Sequence, residues 1–404
     1  MTVDRRQVLA GGLGLAALGL ADQPVLAATR QRIGIIGGGI LGCSIAMHLA
    51  RAGAKVTLFE KNSLASGATH KSLAWINPVV LDEHYIQLRL LSMKHWRELD
   101  RELGIGVVWG GSLSWTNTED GAAKMRAKAE LLRKTGDSLQ LLTDSKSVTA
   151  LSPAVTTNGP IFEAMTLPQD GHVDPVFATR RFADAARRAG AVIIEECEVE
   201  GVDRVGGILS AVTTTKGRFP VDELIFVGGG EMPHLLSLIN VPFKLANKPG
   251  LVIQTTPLPI ATRMAYDASS QLEFKQYANG QVRSTFLNPP DLPQHAEVRA
   301  HPMDFPSEEL RKWHGNMVLQ RTSEYFPAVA KASVNEVMLC FRPMPLDDRP
   351  VVGPIPAQQG CYMVVTHSGV TLAPVLGQLV TREVVGNARA EMLLPYRPER
   401  FIKV

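Results

Sequence analysis

The feature that most constrains the fold is the glycine-rich turn GGGILG at residues 37–42. A short apolar run, residues 32–36, precedes the turn, and residues 44–51 follow it with helical spacing up to Gly53. Residues 55–60 form a second strand-like run that ends in Glu60. Together these elements make a βαβ unit of about thirty residues, the arrangement that binds dinucleotides. The sequence therefore predicts a Rossmann-like α/β domain.

Each of three glycines in this turn has its own physical role. Gly37 permits the tight turn, Gly39 lets a pyrophosphate approach the backbone, and Gly42 lets the helix pack on the strand. An acidic side chain at Glu60 would bond ribose hydroxyls. The alternative is a glycine-rich turn in an ordinary α/β domain, which does not explain Glu60.

The first residues do not belong to this domain. Residues 4–9 read DRRQVL, an apolar run covers residues 8–20, and small residues follow at 25 and 27. This pattern predicts a twin-arginine signal peptide over residues 1–27 and a periplasmic protein, with an uncleaved anchor as the alternative. The 404-residue length predicts two domains beyond it.

Charge and cysteine content narrow the function classes. The formal charge is only +3 and no Lys/Arg block stands out, which argues against a nucleic-acid partner. Cys43, Cys197, Cys340 and Cys361 match no zinc pattern, and the ten histidines are scattered, so no metal site is predicted. Cys43 and Cys197 fall in a predicted helix and strand, and we expect buried, unpaired thiols.

The remaining pattern predicts interleaved domains. Helical spacing recurs at residues 83–103, 121–135, 176–189, 308–325 and 372–385, and residues 223–230 form an apolar strand ending in three glycines. We assign residues 31–82, 166–240 and 338–404 to a discontinuous nucleotide-binding domain. Residues 83–165 and 241–337 are assigned to a substrate domain.

Several motifs in fixed order carry a family resemblance. They are residues 37–42 with Glu60, residues 66–70, 171–175, 227–229, Arg342-Pro343 with Asp347 and Gly353, and residues 366–372. By these motifs the chain resembles the D-amino-acid oxidase superfamily of FAD-dependent oxidoreductases, which includes glycine oxidase, sarcosine oxidase and D-amino-acid dehydrogenase. The resemblance covers nearly the whole mature chain. It implies a Rossmann-like FAD-binding domain interleaved with a mainly antiparallel β-sheet (α+β) substrate domain.

The resemblance also implies which residues contact FAD. Glu60 would hold the adenosine ribose, residues 66–70 would wrap the pyrophosphate, and the backbone of Val199 would contact adenine. Residues 369–372 would open the last helix beside the flavin, where the helix N-terminus stabilises an anionic reduced flavin. We interpret His367 as a residue that shapes this loop rather than as a catalytic base. The full set of FAD contacts implied is Gly37, Gly39, Ile40, Leu41, Gly42, Glu60, Lys61, Ser66, Gly67, Thr69, His70, Val199, Gly228, Gly229, Arg342, His367, Gly369, Val370, Thr371 and Leu372.

Arg342 stands in the stiff, largely apolar stretch CFRPMPLDDRPVVG and needs an anionic partner. Members of the family place an arginine here that grips the substrate carboxylate. A bidentate grip would fix the α-carbon over flavin N5, which takes hydride from the neutral amine. The alternative is an internal salt bridge to Asp347 or Asp348.

Cys340 lies seven residues before Asp347, where sarcosine-oxidase-like members attach FAD covalently. It is a candidate for covalent attachment, and a coincidental cysteine is the alternative. Two departures put the subfamily in doubt: residues 346–348 read LDD where relatives often have Pro-Asp-Gly, and residues 228–230 are three glycines.

The resemblance implies oxidation of the C–N bond of an amino acid or N-substituted amino acid, giving an imine that water hydrolyses. Oxygen, a quinone or a carrier protein is the expected electron acceptor, and peripheral membrane association stays open. Two alternatives remain. One is oxidation of an amine or other small molecule without a carboxylate, and the other is a flavin-bound binding or assembly protein without turnover.

Overall fold

A computed structural model describes residues 31–403 except 247, 270, 287–304 and 306, and leaves the side chain of Cys340 undescribed. The expected signal peptide, residues 1–27, lies outside this range. The helices are α1 (Ile40–Arg51), α2 (Glu83–Leu103), α3 (Glu119–Lys134), α4 (Ser145–Leu151), α5 (Pro175–Arg188), α6 (Met232–Ser237), α7 (Glu308–Tyr325) and α8 (Gly369–Val384). The strands are β1 (Arg32–Ile36), β2 (Lys55–Phe59), β3 (Trp75–Ile76), β4 (Ser112–Thr116), β5 (Gln140–Leu142), β6 (Glu163–Leu167), β7 (Gly171–His172), β8 (Val192–Ile194), β9 (Val199–Val205), β10 (Ile208–Thr214), β11 (Gly217–Pro220), β12 (Glu223–Phe226), β13 (Pro249–Thr255), β14 (Ala265–Ala268), β15 (Leu272–Gln276), β16 (Val282–Phe286), β17 (Val334–Phe341), β18 (Val351–Pro354) and β19 (Cys361–Val365).

The nucleotide-binding part is built on a six-stranded sheet of order β18-β19-β12-β1-β2-β8. Its strands are parallel except β18, which pairs antiparallel with β19. Alternate side chains of β1 face opposite layers: Ile35 packs among α1, α5 and α8, and Ile36 faces the small sheet β11-β10-β9. Helices on one face and a second sheet on the other bury both sides, as a parallel sheet requires. The predicted Rossmann-like α/β architecture is confirmed.

The second part is an eight-stranded sheet of order β17-β13-β16-β15-β14-β4-β6-β5. Its pairs are antiparallel except β14 with β4. One face packs on α7 through residues such as Trp115 and Phe274. The other face carries buried polar side chains, including Lys275 and Arg283, which donate hydrogen bonds to backbone carbonyls of the nucleotide-binding part. This polar face turns toward residues 70–74 and Val173 of the nucleotide-binding part.

Helix α2 packs against the nucleotide-binding part, whereas the expected domain division placed residues 83–165 in the substrate domain. Leu88 and Trp96 belong to the same core as α1 and α8. The Trp96 indole donates to the backbone oxygen of Val370, 3.0 Å away. Helical periodicity shows a buried stripe on α2 but not which partner covers it. Strands β6 and β17 likewise run past the expected boundaries at residues 165 and 338.

Cys43, Cys197 and Cys361 are buried free thiols, which confirms the expectation for the first two. Within the part of the chain that the structure describes, we find no helix with the length and hydropathy needed to span a bilayer. The same residues contain no cluster of three His, Cys, Asp or Glu side chains placed to ligate a metal.

A buried carboxyl joins the two parts of the molecule. Asp170 is fully buried, and its Oδ2 accepts hydrogen bonds from the Ser112 hydroxyl at 2.7 Å and the Trp75 indole at 3.0 Å. Burial raises its pKa to about 8, against the lowering effect of these two donors. The carboxyl is therefore protonated at neutral pH.

This shifted pKa predicts a pH-dependent stability. The folded pKa lies above the unfolded value, so the native state holds an extra proton between about pH 4 and pH 8, and stability falls as pH rises through that window. We expect Asp170→Asn to remove about 1 kcal/mol of pH dependence per pH unit. Thermal unfolding from pH 5 to 8.5 measures it. Asp120→Asn, at an exposed side chain, should keep the wild-type slope, and parallel curves for wild type and Asp170→Asn would contradict the prediction.

Candidate FAD and substrate site

The predicted cofactor residues lie at one edge of the six-stranded sheet. Strands β1, β2, β12 and β19 are parallel, so their carboxyl ends share that edge. The loops that leave these ends carry residues 37–39, 60–70, 227–231 and 366–368. Ligands of open α/β sheets bind outside the carboxyl ends of the strands. The topology therefore brings the four sequence motifs together.

The glycine turn leaves no room for side chains at two positions. A Cβ on Gly37, whose φ is +115°, would lie 2.5 Å from the Val227 carbonyl oxygen. A Cβ on Gly42 would lie 1.9 Å from the carbonyl oxygen of Gly37. At Gly39 a Cβ would approach Thr69 Oγ1 to 3.1 Å. These contacts hold the backbone of the turn close to the N-terminus of α1, where an anion is stabilised.

Glu60 lies beside this turn at the end of β2. Its Oε2 accepts a hydrogen bond from the Gly38 backbone N–H at 2.7 Å. The Glu60 carbonyl accepts from the backbone N–H of Cys197 at 2.8 Å, which brings the start of β9 and the buried Val199 to the same corner. If Glu60 binds the ribose and the Val199 backbone contacts adenine, these two residues must lie near each other, and this corner places them so.

The loop after β2 closes over the turn. Thr69 Oγ1 accepts a hydrogen bond from the Ile40 backbone N–H in the first turn of α1, at 3.1 Å. His70 Nε2 lies 2.9 Å from Glu336 Oε1 on β17, so the loop also contacts the substrate sheet. Ser66 is partly buried in the same loop, and Gly67 is exposed with open space around its Cα.

Further predicted contacts follow β12. Gly228 is packed so closely that a Cβ there would lie 2.2 Å from Leu235 Cδ1, and Gly229 has a φ of +57°. Lys61, at the end of β2, forms an exposed ion pair with Glu231 at 3.4 Å. The β12 loop is thus joined to the β2 loop along the same edge.

The N-terminus of α8 meets the N-terminus of α1. A Cβ on Gly369 would lie 3.4 Å from Leu41 Cδ1 in the first turn of α1. Ser368, the N-cap of α8, makes no side-chain capping bond, so the first N–H groups of α8 lack that partner. Val370, Thr371 and Leu372 are buried in this first turn. Two helix N-termini therefore direct partial positive charge at one region.

Arg342 enters this region from the substrate sheet. It follows β17 directly, its backbone N–H donates to Lys248 O at 3.1 Å, and its Nη2 donates to Phe286 O at 3.0 Å. The preceding residue, Phe341, abuts the β12 loop, because a Cβ on Gly230 would lie 3.3 Å from Phe341 Cβ. Arg342 is thus held where the two parts of the molecule meet.

The pKa of His367 responds to the positive charge of this region. It is an exposed residue of the loop between β19 and α8. The protein atoms packed around its ring, and after them the positive charges of Arg342, Arg89 and Lys248, lower its pKa. An imidazole whose pKa is lowered in this way is a poor proton acceptor, which favours the interpretation of His367 as a loop-shaping residue.

Asp347 and Asp348, the alternative partners of Arg342, each form an ion pair with a different cation. Asp347 Oδ2 lies 2.9 Å from Arg400 Nη2, and Asp348 Oδ1 lies 3.7 Å from Lys248 Nζ. The internal salt bridge considered from the sequence therefore competes with these contacts. Cys340 pairs through its backbone with Gly250 in the β13–β17 ladder, and the question of covalent attachment lies outside the described residues because its side chain does.

Sequence reasoning missed two of the three cations, Arg89 and Lys248. Arg89 lies in the buried stripe of α2 together with Tyr85, Met93 and Trp96. An arginine at helical spacing among apolar residues is the signal that could have identified it, since arginine is almost never fully buried without a partner. Lys248 is exposed and follows no pattern that would single it out.

Comparisons with known proteins agree with this geometry. A family model described as FAD dependent oxidoreductase matches residues 32–383. Glycine oxidase of Geobacillus kaustophilus is 24% identical over 390 residues, covering 92% of this chain and 98% of that enzyme. The crystal structure of L-proline dehydrogenase from P. horikoshii has a TM-score of 0.80 at 22% identity, covering 93% of this chain and 98% of that one.

The crystal structure of glycine oxidase from Geobacillus kaustophilus has a TM-score of 0.77 at 22% identity, covering 91% of this chain and 98% of that one. Structural likeness at this level of identity establishes the fold. The family match extends from β1 into α8 and includes every loop of the sheet edge described above. The chain belongs to the D-amino-acid oxidase family of FAD-dependent oxidoreductases.

Proposed function

We propose that this chain binds FAD along the carboxyl edge of its parallel sheet and oxidises the C–N bond of an amino acid or N-substituted amino acid. The observation that carries the proposal is the position of Arg342. It lies at the junction of the two parts, and its charge acts on His367 beside the N-terminus of α8. A carboxylate held there would lie next to the region where the flavin ring is expected.

The residues of the edge fit a dinucleotide. Gly37 and Gly42 have no space for a Cβ, and the backbone they expose adjoins an α1 N-terminus with no N-cap side-chain bond. The pyrophosphate would lie on this turn, and Glu60 would hold the ribose. FAD, when bound, supplies the hydride acceptor.

The cations of the site have two roles in this chemistry. The Arg342 guanidinium would bind the substrate carboxylate and fix the α-carbon, because a planar fork matches a carboxylate bidentately. Arg342, Arg89 and Lys248 also disfavour a nearby ammonium, as they disfavour protonated His367. The bound amine would therefore lose its proton more readily and become the neutral species that gives up hydride.

The relatives support both primary and N-methyl substrates. The name of glycine oxidase specifies glycine, which is a primary amine. Human sarcosine dehydrogenase, 27% identical over 209 residues covering half of this chain, and 4-methylaminobutanoate oxidase of Paenarthrobacter nicotinovorans, 30% identical over 204 residues, carry N-methyl amines in theirs. The same names include oxidases and dehydrogenases, so oxygen, a quinone and a carrier protein all stay in the proposal as acceptors.

Anaerobic flavin bleaching tests the proposed function. We expect purified holoprotein to lose its flavin absorbance near 450 nm with at least one primary or N-methyl amino acid, because hydride transfer reduces the flavin. Decarboxylated analogues should bleach it at least tenfold more slowly, since they lack the group that Arg342 binds. Bleaching by amines alone would favour the carboxylate-free alternative, and no bleaching by any compound would favour a binding protein without turnover.

The location of the protein is part of the proposal. A twin-arginine signal peptide at residues 1–27 would deliver a folded, FAD-loaded chain to the periplasm. The expected result is flavoprotein in the periplasmic fraction of expressing cells. Replacing both Arg5 and Arg6 by lysine should leave the protein inside the cell, and unchanged export would contradict the assignment.

A further inference from the structure

Arg89 carries a buried guanidinium whose hydrogen-bond acceptors among the described residues are all neutral groups. It is 6% exposed on α2, and its Nε donates to Asn77 O at 2.8 Å. Its Nη2 donates to Asn77 Oδ1 at 2.9 Å, and its Nη1 donates to Ser368 Oγ at 2.9 Å. Within the described part of the chain, no carboxylate forms an ion pair with Arg89.

Such a charge is costly in the absence of a counter-ion. An ion taken out of water loses several kcal/mol even after the protein relaxes, and neutral acceptors recover only part of this. Asp170 is the acidic residue whose charge would act on Arg89, but its carboxyl is protonated at neutral pH because burial raises its pKa to about 8. Burial lowers the pKa of Arg89, yet a guanidinium stays charged at neutral pH.

The position of the charge indicates what offsets this cost. Ser368, which accepts from Arg89, is the N-cap of α8, and Gly369 next to it contacts Leu41 at the N-terminus of α1. The charge of Arg89 thus adds to two helix N-termini at the place where the flavin ring is expected. Arg342, which follows β17 of the substrate sheet, adds a second positive charge that acts on the neighbouring His367.

We propose that Arg89 is a positioning residue that fixes the turn at Ser368 and supplies a permanent positive charge to stabilise reduced FAD. This inference rests on the proposed function for the presence of FAD but not for the substrate. Hydride transfer carries two electrons and one proton to neutral flavin and leaves the reduced ring with a negative charge. Arg89 is already held on three sides by protein acceptors, so its role is to position the turn and supply charge rather than to bind the substrate carboxylate.

Sulfite titration of the holoprotein tests the role of Arg89. Sulfite adds to the oxidised flavin and leaves negative charge on the ring, and it needs no substrate. We expect Arg89→Gln, which retains an amide donor but removes the charge, to raise the sulfite dissociation constant at least tenfold. The flavin midpoint potential should fall by about 30 mV or more, which is the same tenfold change for a two-electron couple.

Two further variants separate charge from structure. Arg89→Lys keeps the charge and should bind sulfite within about threefold of the wild type even if its folding is weaker. Lys94→Gln removes a charge from the exposed face of the same helix and should leave both readouts unchanged, because surface charges are screened. The proposal is overturned if Arg89→Gln, loaded with flavin, retains wild-type sulfite affinity and potential, or if Arg89→Lys loses as much as Arg89→Gln.

The result is independent of the substrate. A protein that binds FAD but oxidises no amino acid would still show the sulfite effect, so failure of the proposed oxidation and failure of the Arg89 role are distinguishable. A chain that binds no FAD would give no flavin absorbance at all and would overturn both.

Discussion

Replacing Arg342 by leucine is expected to lower kcat/KM for the best amino-acid substrate by about 150- to 1,000-fold. Truncating one partner of a partly buried, hydrogen-bonded charge pair costs about 3–4 kcal/mol, much of it from the anion left without its cation. The change should appear mainly in KM, because the carboxylate is bound in both the ground state and the transition state. Stopped-flow reduction of the flavin, measured against substrate concentration, separates the two parameters.

Matched comparisons make this prediction specific. Arg349→Leu removes an exposed arginine seven residues further along, whose partner is Asp82, and should change kcat/KM by less than about twofold because surface ion pairs contribute little. A decarboxylated substrate analogue should lose far less than the amino acid in Arg342→Leu, because only the amino acid has the carboxylate that Arg342 binds. Equal losses for the amino acid and its analogue would assign Arg342 a structural role and contradict its proposed binding of the substrate carboxylate.

Replacing Gly42 by alanine is expected to raise the FAD dissociation constant more than 100-fold. The new Cβ would lie 1.9 Å from the carbonyl oxygen of Gly37, a backbone atom that no side-chain rotation can move away. Relieving this overlap must displace α1 from the glycine turn, and overpacking of this kind costs about 3 kcal/mol. The backbone N–H groups of the turn would then no longer converge on the pyrophosphate. Flavin content per polypeptide and titration of the apoprotein with FAD measure the effect.

The control for Gly42→Ala is another glycine with room for a methyl group. Gly201 lies in β9, and a Cβ there would meet only Thr213 Cβ at 3.8 Å, an ordinary contact. Gly201→Ala should therefore retain full flavin content and fold at least as stably as the wild type, because alanine loses less backbone entropy than glycine. If Gly42→Ala also retained its flavin, the role given to the turn would be wrong.

Much of the helical structure was predictable because its signals are local. Helix α2 runs over the predicted residues 83–103, and α7 over residues 308–325, since a stripe of apolar residues at helical spacing reports its own boundaries. The starts of helices were less certain. Apolar spacing places the last helix at residues 372–385, and the family resemblance places its opening at residues 369–372. The helix begins at Gly369, and apolar spacing misses this first turn because no side chain caps the N-terminus and leaves a local signal.

The βαβ unit with its glycine turn and Glu60 could be read from the sequence, because those residues are neighbours along the chain and their geometry follows from local backbone sterics. The sequence also singled out Arg342, since a charge in an apolar, proline-rich stretch needs a partner. Three features emerge only when the chain is packed: α2 lies in the nucleotide-binding core, Asp347 contacts Arg400, and Arg89 reaches Ser368 across 279 residues of sequence. Contacts of that separation depend on how whole sheets and helices pack, and no local pattern records them.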